Sequence, residues 1–471
     1  MLHVSTRGEA PAIGFTDALL AGLARDGGLY VPQSWPVLPP QTIQGFAGRR
    51  YADVAKAVLG PLVDGEIPVA DLDRMIEEAY AGFRHAAICP LVQIGDNLFV
   101  LELFHGPTLA FKDVAMQLLG RLMDHVLKAR GTRATIVGAT SGDTGSAAVE
   151  AFKGLDQVDV FILYPHGRVS DVQRRQMTTV DSANIHAIAV EGTFDDCQAM
   201  LKAMFNHQRF RDDTRLSGVN SINWARVAAQ IVYYFTAAVS LGSPGRPVSF
   251  SVPTGNFGDI LAGWAAKRMG LPIDRLMIGT NANDILVRAL GTGSYEIRGV
   301  EPTASPSMDI QVSSNFERLL FEAYGRDAGA IRTLMAGLAG SRSFLIDAAA
   351  LARIRAEFAA RAVDEPTVAA EMQQTYRSTG YVLDPHTAVG TRAARALLAD
   401  QPSVPVVALA TAHPAKFPDA VVKATGVHPA LPRHMEDLMG RRESFTVLPN
   451  DQVVVQRFIR ERARAVRGVA A

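Results

Sequence analysis

The segment ATIVGATSGDTGSAAVEAF, residues 134–152, carries the pattern on which the fold depends. Ala134–Val137 is apolar and rich in β-branched residues, which predicts a buried strand, and a helix is expected to open near Asp143. The loop between them combines glycines, hydroxyl side chains and free backbone N–H groups, a combination that can hold an anion at a helix N-terminus. A tight structural turn explains this loop equally well. It matches neither a Walker loop nor G-x-G-x-x-G.

The alternation of strand and helix continues on both sides of this segment. Residues 91–103 predict a hairpin, Leu91–Ile94 and Leu98–Leu103, around Gly95-Asp96-Asn97. Further strands and helices are predicted at Thr108–Lys128 (helix), Val158–Tyr164 (strand), Val172–Val180 (helix), Ile185–Val190, Val248–Val252, Leu276–Ile278 and Val404–Leu409 (strands). This order predicts an α/β fold with mostly parallel sheets covered by helices.

The two remaining regions are expected to be mainly helical. The first ~90 residues predict helices at Phe15–Ala24 and Asp71–Phe83, with a Pro-rich loop from Pro32 to Pro40 between them. Residues 310–400 read as almost all helix.

Composition excludes several classes of protein. The 471 residues suffice for two or three domains, and 47 basic residues balance 47 acidic ones, so no overall field favours nucleic acid or anionic lipid. No apolar run approaches the ~20 residues that span a bilayer, and the N-terminal sequence does not resemble a signal peptide, so we expect a cytoplasmic protein. Cys89 and Cys197 are expected to be buried thiols, and no metal site is predicted.

Lysine is scarce in this chain, so each lysine is a stronger candidate for a functional role. Of the 47 basic residues only 8 are lysine, and arginine cannot replace a lysine that must lose its proton. In HGPTLAFKD, residues 105–113, Thr108 is a candidate helix N-cap and Lys112 would lie in the first turn. Burial and the positive helix N-terminus both lower a lysine pKa, as a Schiff-base lysine requires. A surface lysine on a helix is the alternative.

Two more segments follow predicted strands. PTGNFGD, residues 253–259, is a second glycine loop before a helix, where Gly255 and Gly258 allow close backbone approach to an anion. ATAHPAKF, residues 410–417, offers a hydroxyl for a heterocycle nitrogen. His413 is expected to make local hydrogen bonds, and Lys416 is a rival for the cofactor lysine. Because ligands bind beyond the carboxyl ends of strands in open α/β sheets, both segments are candidates for a binding site.

These motifs together resemble the threonine synthase family, in its longer bacterial and fungal branch. The resemblance also covers STRG and GLARDGGLYVP near the start, NSINWAR at 220–226 and MDIQVSSNFERLLF at 308–321. It implies the tryptophan-synthase-β type of pyridoxal-phosphate enzyme (fold type II). Residues 1–95 would form a mostly helical N-terminal extension, and residues 96–471 a catalytic core of a large cofactor-binding α/β domain and a small one, roughly 115–220.

The family resemblance also implies roles for individual residues. Lys112 would bind pyridoxal 5'-phosphate as a Schiff base, Thr411 would contact the ring nitrogen, and Asp143 the ring oxygen, where a carboxylate needs a shared proton. The cofactor phosphate would lie on Gly255, Asn256, Phe257 and Gly258. The substrate carboxylate would be bound by Thr140, Ser141, Gly142 and Thr144. For the substrate phosphate we expect Arg226, with Ser221 and Asn223, and keep His105 and Lys416 in reserve.

The implied reaction turns O-phospho-L-homoserine and water into L-threonine and phosphate, in a monomer or a homodimer. Serine/threonine dehydratases and β-replacing synthases of the same fold are the nearest alternatives, but they lack the segments at 220–226 and 308–321. A binding protein that has lost catalysis would have a missing lysine or a broken glycine loop. A nucleotide-binding Rossmann protein would need G-x-G-x-x-G after its first strand.

Overall fold

The chain builds two separate sheets, and a computed structural model describes residues 1–140 and 142–467. The strands are β1 His3–Ser5, β2 Tyr30–Pro32, β3 Leu91–Gly95, β4 Leu98–Glu102, β5 Ala134–Ala139, β6 Val158–Pro165, β7 Ile185–Glu191, β8 Leu216–Ser217, β9 Val248–Pro253, β10 Ile273–Thr280, β11 Ser294–Glu296, β12 Ser343–Leu345, β13 Phe358–Ala362, β14 Val406–Ala410 and β15 Thr446–Pro449.

Helices occupy most of the remaining chain. They are α1 Phe15–Ala21, α2 Pro40–Gln44, α3 Tyr51–Val63, α4 Val69–Tyr80, α5 Lys112–Ala129, α6 Asp143–Phe152, α7 Asp171–Thr178, α8 Phe194–Asn206, α9 Gln208–Thr214, α10 Trp224–Ser240, α11 Gly258–Arg268, α12 Ile285–Thr292, α13 Phe316–Ala323, α14 Ala328–Ser341, α15 Ala348–Glu357, α16 Glu365–Thr379, α17 Pro385–Asp400, α18 Pro418–Thr425, α19 Gln452–Arg462 and α20 Arg464–Arg467. In the described residues no helix is both long and apolar enough to cross a membrane.

The larger sheet has the order β13-β10-β9-β14-β4-β3, with only β3 antiparallel to its neighbour. The smaller sheet, β15-β7-β6-β5-β8, is parallel throughout. All residues of β6 and of β9 are buried, because helices cover both faces of such a sheet. The α/β prediction is confirmed, and so is the hairpin of β3 and β4.

The expected helix from Thr108 is wrong at its start. The helix α5 begins at Lys112, after Leu109 has adopted a left-handed φ of 64°. The Thr108 N–H and hydroxyl both donate to the carboxylate of Asp113, each at 2.7 Å. The Asp113 carboxylate therefore closes a turn that begins at Thr108 and precedes the helix, and Lys112 becomes the first helical residue.

The expectation of almost continuous helix over residues 310–400 is also incomplete. The region contains α13 to α17, but β12 and β13 interrupt it, and β13 pairs in parallel with β10 at the edge of the larger sheet. Near the N-terminus, β1 and β2 form an antiparallel pair among the predicted helices.

The smaller sheet draws its strands from two distant parts of the chain. Four of them come from residues 134–217, inside the small domain expected at 115–220. The fifth, β15, comes from Thr446–Pro449 and pairs with β7. The domain limits stay a prediction. Cys89 and Cys197 are buried free thiols, as expected.

Candidate active site

A cavity of about 550 Å³ lies beyond the carboxyl ends of β4, β5, β9 and β14. It brings together residues that are up to 301 positions apart in sequence. The predicted site residues that line it are Lys112, Thr140, Asp143, Thr144, Ser221, Arg226, Gly255, Asn256, Phe257, Gly258 and Thr411. Each motif reaches the cavity because parallel strands present their carboxyl ends, and the loops that follow, on one side of a sheet.

Lys112 is the amine of this cavity. Its side chain is 9% exposed, and Nζ lies 3.3 Å from Asp143 Oδ2 and 4.9 Å from the centre of the Phe111 ring. Burial lowers the pKa of Lys112, against the opposing effect of Asp143, while Arg226 and Lys416 lower it further. A lowered pKa supplies the neutral amine that attacks a carbonyl.

Lys416, the rival lysine, has a different environment. It is completely buried and is not among the cavity-lining residues. Its Nζ donates to Thr108 O at 2.7 Å and to Gln176 Oε1 at 3.0 Å, and lies 2.9 Å from Asp143 Oδ1. These three acceptors match the three protons of an ammonium group. Lys416 is therefore a bound internal cation, and Lys112 is the accessible amine.

Asp143, the first residue of α6, is held by four donors. Lys416 and the Gln173 amide contact Oδ1, both at 2.9 Å, and Lys112 and the Ser307 hydroxyl contact Oδ2 at 3.3 and 3.4 Å. Burial raises the pKa of Asp143, but the two ammonium groups outweigh burial and hold this pKa well below its usual range. Asp143 is thus a carboxylate with its own counter-ions.

The loop from Gly255 to Gly258 exposes backbone donors to the cavity. Phe257 has a left-handed φ of 64° where the loop enters α11. Among the residues that the structure describes, no acceptor is found for the N–H groups of Asn256, Phe257 and Gly258. A Cβ on Gly255 would lie 2.9 Å from the carbonyl oxygen of Ser307. Unpaired N–H groups at the N-terminus of an eleven-residue helix fit a phosphate.

Thr411 follows β14 directly and is buried. Its carbonyl oxygen accepts the Phe111 N–H at 2.8 Å, and Ala110 and Ala412 form a bridge between the same two segments. The loop that carries Thr411 is therefore fixed against the loop that carries Lys112. His413 makes the local bond expected of it, since its Nδ1 accepts the Ala415 N–H at 3.1 Å.

In the loop after β5, Thr140 and Thr144 face the cavity. The Thr140 hydroxyl accepts the N–H groups of Gly142 and Gly145, at 2.9 and 3.0 Å, so it shapes the loop. Gly142 has a φ of 145° and is not among the lining residues. Ser141 lies outside the described residues.

Arg226 is a buried cation in the wall of the cavity. It lies in the first turn of α10, is 3% exposed, and its Nη1 donates to Val219 O at 3.1 Å. Within residues 1–140 and 142–467 it forms no ion pair with a carboxylate. Burial lowers the pKa of Arg226 to about 10, so the group remains charged at neutral pH. Such a cation can bind a dianion.

Asn223, expected beside Arg226, has a structural role in this fold. Its side chain caps α10 by accepting the Ala225 N–H at 3.0 Å, and its amide donates to Leu19 O at 2.9 Å and to Gly218 O at 3.2 Å. Asn223 is not among the lining residues, whereas Ser221 is. The polar segment at 220–226 therefore serves partly as a cap and partly as the cavity wall.

Several cavity-lining residues were not predicted, notably Gln230, Asp259, Ser307 and His386. His386 Nδ1 lies 2.7 Å from Asp384 Oδ2, and the Ser307 N–H donates to His386 Nε2 at 3.3 Å. In sequence, Asp384-Pro385 signals only a helix start. Nothing in that signal places His386 next to a cavity whose segments lie as far as 275 residues away.

Comparison with known proteins agrees with this geometry. Family models match residues 2–80 (threonine synthase N terminus), 89–412 (pyridoxal-phosphate dependent enzyme) and 387–459 (threonine synthase, C-terminal). The chain is similar to threonine synthase of Pseudomonas aeruginosa, at 54% identity over 98% of both chains. It is similar to that of Saccharomyces cerevisiae at 43% identity over 90% of this chain and 89% of the relative.

Solved structures give the same result. The fold is similar to that of a PLP-bound threonine synthase from Brucella melitensis, with a TM-score of 0.96 and 61% identity over 98% of this chain and 100% of that one. Against yeast threonine synthase the TM-score is 0.93, at 39% identity over 98% of both chains.

Proposed function

The chain belongs to the threonine synthase family of fold type II pyridoxal-phosphate enzymes, and from that premise we propose how its cavity converts O-phospho-L-homoserine and water to L-threonine and phosphate. Bound pyridoxal phosphate supplies an electron sink for a carbanion at the substrate α-carbon. Every other contribution comes from side chains and backbone groups of this chain.

Four elements would hold the cofactor. Lys112 binds it covalently, supported by the lowered pKa and cavity position of its amine. The unpaired N–H groups of Asn256, Phe257 and Gly258 bind its phosphate. Thr411, on a loop fixed to that of Lys112, would contact the ring nitrogen. Asp143, next to Lys112 Nζ, would contact the ring oxygen.

The substrate would bind between the two glycine loops. Thr140 and Thr144, near the N-terminus of α6, receive the substrate carboxylate. Arg226 and Ser221 receive the phosphate, whose negative charge must be stabilised as it leaves. Lys112, which lines the same cavity, would carry the α-proton of the substrate.

One observation carries the proposal more than any other. Lys112 and Arg226 line the same cavity, and within residues 1–140 and 142–467 Arg226 is a buried cation that forms no ion pair with a carboxylate. An unpaired buried charge is expensive, and such a charge at an active site implies an anionic ligand. A dehydratase acting on serine or threonine would have no use for this second cation, because its substrate has no second anionic group.

The test measures phosphate and threonine formed from O-phospho-L-homoserine by purified holoenzyme, alongside ammonia formed from serine and threonine. We expect one phosphate per threonine and little ammonia. Rapid ammonia release without turnover of the phosphorylated substrate would assign the chain to the dehydratase reaction instead.

We further propose that the enzyme works in the cytoplasm as a monomer or a homodimer, with the extension at 1–95 and the small domain near 115–220 as separate units. The substrate is a multiply charged small molecule that does not cross a bilayer unaided, which supports this location. Size-exclusion chromatography with light scattering tests the assembly.

A further inference from the structure

Three buried charges lie in a row beside the cavity. Lys112 Nζ is 3.3 Å from one oxygen of Asp143, and Lys416 Nζ is 2.9 Å from the other. Asp143 is 4% exposed and Lys416 is not exposed at all. The carboxylate is therefore shared between two ammonium groups, only one of which reaches the cavity.

Several other titratable groups surround these three charges. Asp259 acts on Lys112, and His413 acts on Lys416. Arg226 faces Lys112, and His386 faces Asp143 on the far side of Ser307. Asp113 faces Lys416, but its carboxylate is occupied by the Thr108 N–H and hydroxyl. Gln173 and Gln176 contribute neutral contacts to Asp143 and Lys416. The charges that act on Lys112 are thus Asp143, Arg226, Lys416 and Asp259, and of these Lys416 acts across Asp143.

We propose that Lys416 is a positioning residue: its buried ammonium fixes Asp143 as a carboxylate and, across Asp143, sets the protonation of Lys112. The inference rests on the proposed function, in which Lys112 is the cofactor lysine. Lys416 is not among the described residues that line the cavity, so we assign it no direct contact with the substrate. It acts by keeping Asp143 from becoming a counter-ion for Lys112 alone.

Removing the charge of Lys416 and removing the charge of Asp143 should shift the pKa of Lys112 in opposite directions. Lys416→Gln removes a neighbouring positive charge and leaves Asp143 to Lys112 alone, so the pKa of Lys112 rises. Asp143→Asn removes the counter-charge and leaves two facing ammonium groups, so the pKa of Lys112 falls. In the double variant the two changes oppose each other. A residue that served only to anchor the loops through Thr108 and Gln176 would not produce this pattern.

The experiment follows cofactor capture by cofactor-free protein. Only the neutral amine attacks the aldehyde, so the rate at which pyridoxal phosphate is captured rises with pH through the pKa of Lys112. Rates are measured by the growth of the visible absorbance band after mixing, from pH 6 upward. We expect the midpoint to move up by about 1 pH unit in Lys416→Gln and down by about 1 unit in Asp143→Asn. The double variant should lie close to wild type.

Thermal unfolding of the same cofactor-free proteins provides a second readout. Asp143→Asn leaves Lys416 buried without its carboxylate, and we expect its unfolding midpoint to fall by about 5 °C. Adding Lys416→Gln to this variant should recover most of that loss. Lys423→Gln, an exposed lysine on α18, is the control and should change neither readout.

The proposal is overturned if Lys416→Gln leaves the capture midpoint in place, if both single variants move it in the same direction, or if the double variant is less stable than Asp143→Asn. Phosphate release by wild-type holoenzyme is measured in parallel. Its absence would count against the proposed function, whereas the midpoints and unfolding temperatures decide the role of Lys416.

Discussion

At the residue scale, the cavity is defined by charges that the fold holds out of water. Lys112, Asp143 and Arg226 are each less than a tenth exposed. Lys112 and Asp143 compensate each other, while Arg226 has only a backbone carbonyl. Nearby, Asp259 accepts a short hydrogen bond from the Tyr233 hydroxyl, and burial raises the pKa of Asp259 to about 6. The cavity wall therefore carries charges of both signs, and Arg226 is held there by a backbone carbonyl and by longer-range attraction from Asp259.

We predict that Arg226→Gln lowers kcat/KM for O-phospho-L-homoserine by about 100-fold, because the departing phosphate loses a charged donor. Cofactor capture by the cofactor-free protein should persist, since Arg226 is not assigned to the cofactor. The measurement is steady-state phosphate release with the cofactor spectrum recorded in parallel. Arg211→Gln, an exposed arginine on α9, is the control. Unchanged kcat/KM in Arg226→Gln would remove Arg226 from the substrate site.

The residues that sequence could identify are those carried by local motifs. Lys112, Asp143 and Arg226 each lie at the start of a helix that follows a glycine- or asparagine-rich turn, and such a turn is visible in sequence. The role of Asn223 as a helix cap also depends on local sequence. A polar residue at a helix start can either cap the helix or bind a ligand, and the sequence does not distinguish the two. Ser307 and His386 reach the cavity through long-range packing, which no local pattern encodes.

At the element scale, the site depends on where helices begin. The helices α5, α6 and α11 all start at the cavity, with Lys112, Asp143 and Gly258 as their first residues. Helix N-termini present free N–H groups and a positive potential, and both favour phosphate and carboxylate. One strand-loop-helix pattern, used repeatedly, therefore creates a site for a ligand with several anionic groups.

We predict that Gly255→Ala weakens cofactor affinity by at least about 10-fold, ~1.4 kcal/mol. The added Cβ would approach the Ser307 carbonyl oxygen to 2.9 Å and the Met308 Cα to 3.3 Å, and the loop would have to move. Titration of cofactor-free protein with pyridoxal phosphate measures the change. Gly291→Ala on α12, where a Cβ meets nothing within 4 Å, should bind normally. Equal cofactor affinities in the two variants would show that the loop from Gly255 to Gly258 does not need to fit closely around the cofactor phosphate.

Strands in the buried sheets were predictable because continuous apolar runs mark them, as in β6 and β9. The strand β13, Phe358–Ala362, was not, because its sequence FAARA continues the composition of the helix α15 before it. Alanine and arginine favour helix in isolation. Pairing with β10 at the sheet edge overrides that preference.

At the scale of the whole molecule, the C-terminal segment completes the smaller sheet. The strand β15 pairs with β7, and beyond α19 the Arg464 N–H and Nε each donate to the buried carboxylate of Asp159 on β6 at 2.7 Å. This connection could not be foreseen from a four-residue strand more than 200 positions from its partners. The smaller sheet therefore depends on residues 134–217 and on residues 446–464.

We predict that Arg464→Ala destabilises the protein by about 2 kcal/mol, because Asp159, which is 2% exposed, loses its guanidinium partner. Denaturant unfolding of the cofactor-free protein measures the loss. Arg457→Ala, an exposed arginine on α19, should remain within about 0.5 kcal/mol of wild type. A loss no larger than that of the control would mean that solvent replaces the Arg464 contact.

The central claim is that Lys112, and not Lys416, binds the cofactor. Borohydride reduction of the holoenzyme, followed by peptide mass mapping, locates the modified lysine directly. We expect the reduced cofactor on the peptide that contains Lys112. In Lys112→Ala we expect neither the modified peptide nor the visible absorbance band. Modification on the peptide that contains Lys416, or a band that survives in Lys112→Ala, would contradict it.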